Sequence, residues 1–205
     1  MKRLQTFTFF LVLYAFIPSA LADEDALLVV KKTGEGVVEA LETNRKSLEA
    51  DPTSLFPIIN QLIIPNFNFD RTSKLIIGRH WKKANQEQQE RFIIEFRKLL
   101  VHTYGTALLH YRGGGISYEA PRDMGKGRTM VLCKVVLKEG NKLPIKYYLK
   151  KDQTEQWKIY DVNIEGISLV INYRNEYNIF LLQHDSNLDA LTDLLAERNL
   201  RVGAQ

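Results

Sequence analysis

The chain has 205 residues, a quarter of them charged, a formal net charge of +4 and a single cysteine, Cys133. That length suits one domain with a sizeable core, and one cysteine excludes an intrachain disulfide, so stability has to come from packing. The basic residues are dispersed and no nucleic-acid-binding signature is present, which argues against a nucleic-acid partner.

Lys2 and Arg3 precede an apolar run from Phe7 to Ile17, followed by Pro18 and the small-residue motif Ala20-Leu21-Ala22. This pattern predicts a secretory signal peptide, residues 1–22, cleaved after Ala22. The run falls short of the ~20 residues that cross a bilayer. No cysteine follows the cleavage point, so a lipid-anchored route is not expected. Loss of Lys2 and Arg3 takes the net charge from +4 to +2 and leaves residues 23–205 as a single exported domain.

From Asp25 to Ser47 apolar residues recur at helical spacing, including Ala26, Val30, Val37 and Leu41, with an interruption expected at Gly34 and Gly36. A second helix is predicted from Thr53 to Ile63, stopping before Pro65. The segment Pro65-Asn66-Phe67-Asn68-Phe69-Asp70 reads as a turn with two large aromatics, and a short helix from Arg71 ends at Gly78. The longest helix starts after Asn85, with Gln88 completing a capping box. It carries the stripe Phe92, Phe96, Leu99, Leu100, Tyr104 and Leu108 and is expected to run to Gly113-Gly114-Gly115.

The period then changes from helix to strand. Four strands are predicted: Ile116 to Ala120, Arg128 to Lys138, Leu143 to Lys150 and Trp157 to Ile164. Their short polar links predict an antiparallel meander. Alternation puts Val131, Cys133, Val135 and Leu137 on one face, with Leu143, Ile145, Tyr147 and Leu149, while Lys142, Lys146 and Lys150 face away. Two helices close the chain, one through Val170, Tyr173, Tyr177 and Leu181, the other through Leu188, Leu191 and Leu195 to near Asn199. The fold class is α+β: a four-stranded antiparallel sheet covered by helices on one face. The apolar residues competing for that interior, Trp81 and Trp157 among them, point to an enclosed apolar cavity; a solid core is the alternative.

Catalytic patterns are weak. His80, His102, His110 and His184 include no pair at the spacing of two metal ligands on one helix face. Gly166-Ile167-Ser168-Leu169-Val170 lacks the second glycine of a nucleophile elbow, and Ser168 reads better as a residue near a helix cap. The glycine run at 113–115 lacks the lysine and the preceding strand of a phosphate-binding loop. Asp161, beside Asn163 and Glu165 on the last strand, is the one candidate general base, with no recognisable second catalytic group. Cys133 reads as a small buried hydrophobe in a strand.

A family resemblance runs through the whole of 23–205. Ile64-Pro65 with Phe67 and Phe69, Leu75-Ile76-Ile77-Gly78-Arg79-His80-Trp81-Lys82, Gln88 with Arg91-Phe92 and Phe96-Arg97, and Leu99-Leu100-Val101-His102-Thr103-Tyr104 resemble the MlaC, or toluene-tolerance, family in order. So do Trp157-Lys158-Ile159-Tyr160-Asp161-Val162 and Glu165-Gly166-Ile167-Ser168-Leu169. The chain departs from that pattern at Asn66 and Asn68, where an acidic residue is commoner, and in its glycine run. The resemblance implies a monomeric periplasmic carrier of Gram-negative bacteria, with phospholipid as cargo and no cofactor. It also implies two partners, an outer-membrane lipoprotein complex and an inner-membrane ATP-driven lipid transporter, and a part in outer-membrane lipid asymmetry.

On this reading Val131, Cys133, Val135, Leu137, Ile145, Tyr147 and Leu149 are expected to form the sheet wall of the cavity. Phe92, Phe96, Leu100 and Tyr104 are expected opposite, with Phe67, Phe69 and Trp81 as a gate. Arg79, Lys82, Arg97 and Arg174 are candidates for meeting a headgroup phosphate. The competing readings are a solid-cored periplasmic adaptor without ligand and an enzyme using Asp161.

Overall fold

The computed structural model describes residues 20–109, 111–137 and 140–203. Most of the expected signal segment, His110 and the link residues Lys138 and Glu139 lie outside them. Seven α-helices, α1 (Ala20–Thr43), α2 (Arg45–Ala50), α3 (Leu55–Leu62), α4 (Phe69–Ile77), α5 (Gln86–Leu109), α6 (Leu169–Gln183) and α7 (Leu188–Gly203), flank the strands. These are β1 (Ile116–Tyr118), β2 (Arg122–Asp123), β3 (Arg128–Val136), β4 (Lys142–Lys151), β5 (Trp157–Ile164) and β6 (Ile167–Ser168). The architecture is α+β and every strand pairing is antiparallel.

The sheet has six strands rather than four, in the order β1-β3-β4-β5-β6, with β2 also on β3. The two extra strands are two residues long and carry no alternation to read. β2 continues β1 beyond Pro121, which has no N–H to give to a ladder, and β6 is the short return of the chain into α6. β3 ends at Val136, so Leu137 lies beyond the sheet and is 40% exposed, not part of its inner wall.

The helices start where the sequence offers caps. Asn85 Oδ1 accepts from Gln88 N and Gln88 Oε1 from Asn85 N, both at 2.9 Å, a reciprocal capping box for α5. α5 ends ahead of the glycine run, and Arg45 donates to the carbonyls of Leu109 and Tyr111 there. α1 runs unbroken through Gly34 and Gly36. The Pro65 turn is stitched to the sheet: Phe67 forms a parallel bridge with Ile159, and Asn68 N donates to Ile159 O at 2.8 Å. Asn68 then caps α4 through Arg71 N. Asn66 donates its amide to Thr33 Oγ1 and Leu62 O, tying the turn to α1 in a way no carboxylate could.

Burial divides among three clusters. The first is helical and lies among α4, α5, α6 and α7, with Phe92, Phe96, Tyr173 and Tyr177 in mutual edge-on and stacked contact. The second joins Ala26 and Val30 of α1 to Val131, Leu149, Trp157, Ile159 and Val162 of the sheet. The third fills the space among α1, α2, α3 and the end of α5. Leu169 packs against both the first and the second.

Asp161 joins sheet to helix. Its carboxylate accepts from Ser168 Oγ at 2.6 Å and Val170 N at 3.0 Å, while Ser168 caps α6 through Ile171 N. Burial raises the Asp161 pKa above the ordinary aspartate value, and the hydrogen bonds from Ser168 and the neighbouring backbone only partly oppose this. Removing both acceptors should cost about 2 kcal/mol, because the Val170 N–H loses its partner. Asp161→Ala is therefore expected to be destabilised by that amount in urea denaturation, and Asp161→Asn, which keeps one acceptor, by much less. The folded chain holds the Asp161 proton more tightly than the unfolded chain. Stability from that proton is present below the ordinary value of about 3.9 and is lost as pH rises through the raised folded value. Wild type should thus lose ground to Asp161→Asn as pH rises across that window, and an Asn variant whose deficit grows instead would refute the assignment.

A second expectation concerns the packing of α1 on the sheet. Alanine favours helix over glycine by about 1 kcal/mol. A Cβ at Gly34, however, would stand 2.7 Å from Tyr118 Oη and 3.3 Å from Ile116 Cδ1. Gly34→Ala should therefore lower stability by about 1–2 kcal/mol through overpacking. Tyr118→Phe, which removes that oxygen, should restore most of the loss. A double-mutant cycle checks this, and additive single effects would show that the close approach is not what excludes alanine.

Candidate ligand-binding face

The register of the long strands fixes which side chains share a face. Val131 stands opposite Tyr147, Cys133 opposite Ile145 and Val135 opposite Leu143. Tyr147 stands opposite Val162 and Ile145 opposite Ile164. On the other side of β3, Tyr118 faces Cys133 and Ile116 faces Val135. One sheet face is thus almost wholly apolar, and Lys142, Lys146 and Lys150 belong to the opposite one, as strand alternation requires. α1 lies over the apolar face and touches β1, β3 and β5.

Burial under this roof is graded. Val131, Leu149, Ile159 and Cys133 are buried, whereas Val135, Leu143, Ile145, Tyr147, Ile116 and Ile164 are only half-buried. The end of the face toward Trp157 is therefore filled, and the end toward Val135 and Leu143 is not. A cleft of about 530 Å³ lies outside the filled end, between α1, α3 and the β4–β5 turn, with Leu28, Val29, Leu62 and Trp157 on its wall and Asp25, Lys32 and Lys158 at its rim.

Four polar side chains sit in the apolar face, and one of them, Thr129 opposite Leu149, donates its hydroxyl to Arg122 O at 3.1 Å. The Tyr147 hydroxyl is hydrogen-bonded to the Cys133 thiol, and burial pushes that thiol up to about 11. Burial likewise raises the Tyr147 phenol well above its ordinary range and pushes Tyr118 up to about 12. Tyr118 Oη is buried with no hydrogen-bonding partner. Every one of these groups stays protonated and neutral at neutral pH, so the face presents no charge to a ligand, and Cys133 lacks the thiolate a nucleophile needs.

The other expected residues divide between two places. Phe67 and Phe69 stack at 5.7 Å, with Phe67 against the sheet cluster. Trp81 packs edge-on against Phe92 at 6.4 Å, inside the helical core, so the three do not form one gate. Phe92, Phe96 and Leu100 also belong to the helical core rather than to a wall facing the sheet, and Tyr104 is hydrogen-bonded to Tyr173 there. The element opposite the sheet is α1, through Ala26, Leu27, Val29 and Val30. Its helical spacing was legible, but periodicity gives a face and not the partner it packs on.

Among the described residues no group of three or more acidic, histidine or cysteine side chains could hold a metal ion. No described helix is long and apolar enough to cross a membrane. Asp161 accepts from Ser168 Oγ and Val170 N, and Ser168, itself buried, caps α6, so both side chains belong to the junction between sheet and helix.

Comparison with known proteins gives a consistent result. The chain shares 27% identity and a TM-score of 0.80 with the crystal structure of a phospholipid-binding protein from Ralstonia solanacearum in complex with a phospholipid, covering 87% of this chain and 99% of that one. It is 30% identical over 167 residues to toluene tolerance protein ttg2D of Pseudomonas putida, 80% of this chain and 77% of that protein. It is 22% identical over 166 residues to the intermembrane phospholipid transport system binding protein MlaC of Haemophilus influenzae, 80% of this chain and 78% of that protein. The family model "MlaC protein" matches residues 31–197, well over half of the sequence. The strand register, the helical frame and these matches agree, and the chain belongs to the MlaC family.

Proposed function

We propose that this protein is a periplasmic phospholipid carrier that performs no catalysis. It takes lipid at one membrane and delivers it at the other, between an outer-membrane lipoprotein complex and an inner-membrane ATP-driven transporter, and so maintains outer-membrane lipid asymmetry. The observation that carries this reading is the match over nearly the whole of a phospholipid-binding protein of known structure, with phospholipid bound to it. The apolar sheet face under α1, uncharged and only half-filled toward Val135, is consistent with an acyl-chain site.

The energetics suit a carrier. Each buried methylene is worth about 0.8 kcal/mol, so two ordinary acyl tails represent on the order of 20 kcal/mol against water. A bilayer offers almost the same environment, so exchange between protein and membrane is close to balanced and needs no catalytic group. Direction then comes from partners and from nucleotide hydrolysis elsewhere. The tails contact Val135, Ile145 and Tyr147 at the half-filled end, and reach the buried Val131, Cys133 and Leu149 only once α1 has moved, with Phe67 and Phe69 at the sheet edge. Lipid enters as α1 shifts off the half-filled end, and Trp81, Phe92, Phe96, Leu100 and Tyr104 hold the helical frame beside it.

Export comes first. Ala20 and Ala22 supply the small side chains that signal peptidase requires, so periplasmic material should have an intact mass beginning at Asp23. Full-length chain retained in the membrane fraction would contradict the carrier reading.

The lipid site itself is tested by Val135→Trp with Lys146→Trp as control. The indole at 135 takes the space of acyl chains, so that variant should remain folded while the phospholipid extracted from purified protein falls severalfold. Lys146 is on the opposite face, and its substitution should leave lipid content unchanged. In a solid core the same indole would overpack, at about 1–3 kcal/mol. A Val135→Trp protein that melts much lower while keeping its lipid would favour the adaptor without ligand.

A further inference from the structure

A second, smaller cleft of about 250 Å³ opens between the end of α4 and α6, away from the sheet face. Ile76 and Ile77 form its apolar floor, and four polar residues line it: Arg79, Arg174, Asn175 and Asn178. Both arginines are exposed, and neither has a carboxylate within ion-pair distance among the described residues. The acid next on α6, Glu176, is engaged with Arg198 instead. Two guanidinium groups therefore converge on one small cavity with no negative charge to answer them.

The arrangement is held in place from behind. His80, only 3% exposed, makes long contacts of 3.4 Å through Nε2 to Arg79 Nε and to Asn178 Oδ1. That nitrogen either accepts from Arg79 Nε–H or donates to Asn178 Oδ1, so the buried imidazole sits between two of the lining residues and bonds one of them at a time. The third, Arg174, lies over Gly78: a Cβ there would stand 3.5 Å from its Nη2 and 3.9 Å from its Cζ. Gly78 has φ +59 and ψ −125, a conformation that side chains other than glycine's rarely allow. The turn from α4 into the following 3-10 helix, Gly78–Lys83, brings Arg79 to the cleft by way of that glycine.

We propose that this cleft binds a phosphate-type oxyanion, with Arg79 and Arg174 as charge-assisted donors and the Asn175 and Asn178 amides as neutral ones. Arginine's planar fork matches phosphate oxygens in pairs, where isolated lysines act as point charges. The volume lies below the usual ~300–1,000 Å³ range of small-molecule pockets, which suits a single phosphate group rather than a whole lipid. The phosphate has two possible sources, free in solution or as the diester of a phospholipid headgroup. The second source rests on the carrier reading, and the first does not.

The test is a titration of the purified protein, followed through its arginine Nε–H and asparagine amide NMR signals, with inorganic phosphate and, at matched ionic strength, with sodium chloride. Phosphate should give saturable shifts of the Arg79, Arg174, Asn175 and Asn178 signals, and chloride should not. Arg174→Gln and Arg79→Gln should each weaken phosphate by about tenfold or more, the loss expected for one charge-assisted hydrogen bond. Dihexanoyl phosphatidylglycerol below its micelle concentration separates the sources: saturation at lower concentration than phosphate identifies a headgroup site, and the reverse order a free-phosphate site. Equal response to chloride, or saturation unaffected by either substitution, would overturn the assignment. Because both arginines are exposed, the variants should keep the wild-type melting temperature, while extracted-lipid content should stay at the wild-type level for a free-phosphate site and fall for a headgroup site. A phosphate titration that fails while lipid still co-purifies would sink this site and leave the carrier reading intact.

Discussion

The structure depends on how one apolar sheet face is kept from water. β3, β4 and β5 place valine, isoleucine, leucine and tyrosine side by side across three strands, while the lysines of β4 fix the opposite face as the solvent side. A face of that size has to be covered, and α1 covers it. The cover fits because α1 presents small side chains where the sheet stands tallest: Ala26 over the sheet cluster and Gly34 against Tyr118 and Ile116. α4, α5, α6 and α7 bury apolar faces against one another in the helical cluster, while α2, α3 and the end of α5 pack on α1. Lifting the roof would open the second and third clusters and leave the first, among α4 to α7, intact.

Much of this was legible in the residues, for identifiable reasons. The four main strands followed from alternation and short polar links, the capping box of α5 from Asn85 and Gln88, and the stop of α4 from Gly78. These are local signals, each set by chemistry within a few residues. What was not legible depended on distant partners. The stripe Phe92-Phe96-Leu100 identifies a buried face but does not say against what, and the structure sets it against Tyr173 and Tyr177 rather than the sheet. β6 and the Phe67 bridge are too short to carry a period. Gly34 reads as a helix breaker in isolation and becomes a contact only when Tyr118, 84 positions along the chain, is brought beside it.

The chemistry of the face follows from the same geometry. Burial without counter-charge raises the pKa of Tyr118, Tyr147 and Cys133 and leaves them neutral. Asp161, on the strand that borders that face, is held in the junction between sheet and helix. The face is therefore an uncharged apolar surface, with its titratable groups held in their neutral forms.

That junction has a consequence for motion. Asp161 ties the end of β5 to the first turn of α6, and Leu169 is shared by the sheet cluster and the helical cluster. Separating sheet from helices at that point would break two part-buried hydrogen bonds and expose apolar surface in both clusters at once. Opening events in the native state are graded by the contacts they break. The junction of β5 with α6 is accordingly a point that cannot open without breaching two cores at once, so amide protons in β5 and in the first turn of α6 should share one slow exchange regime.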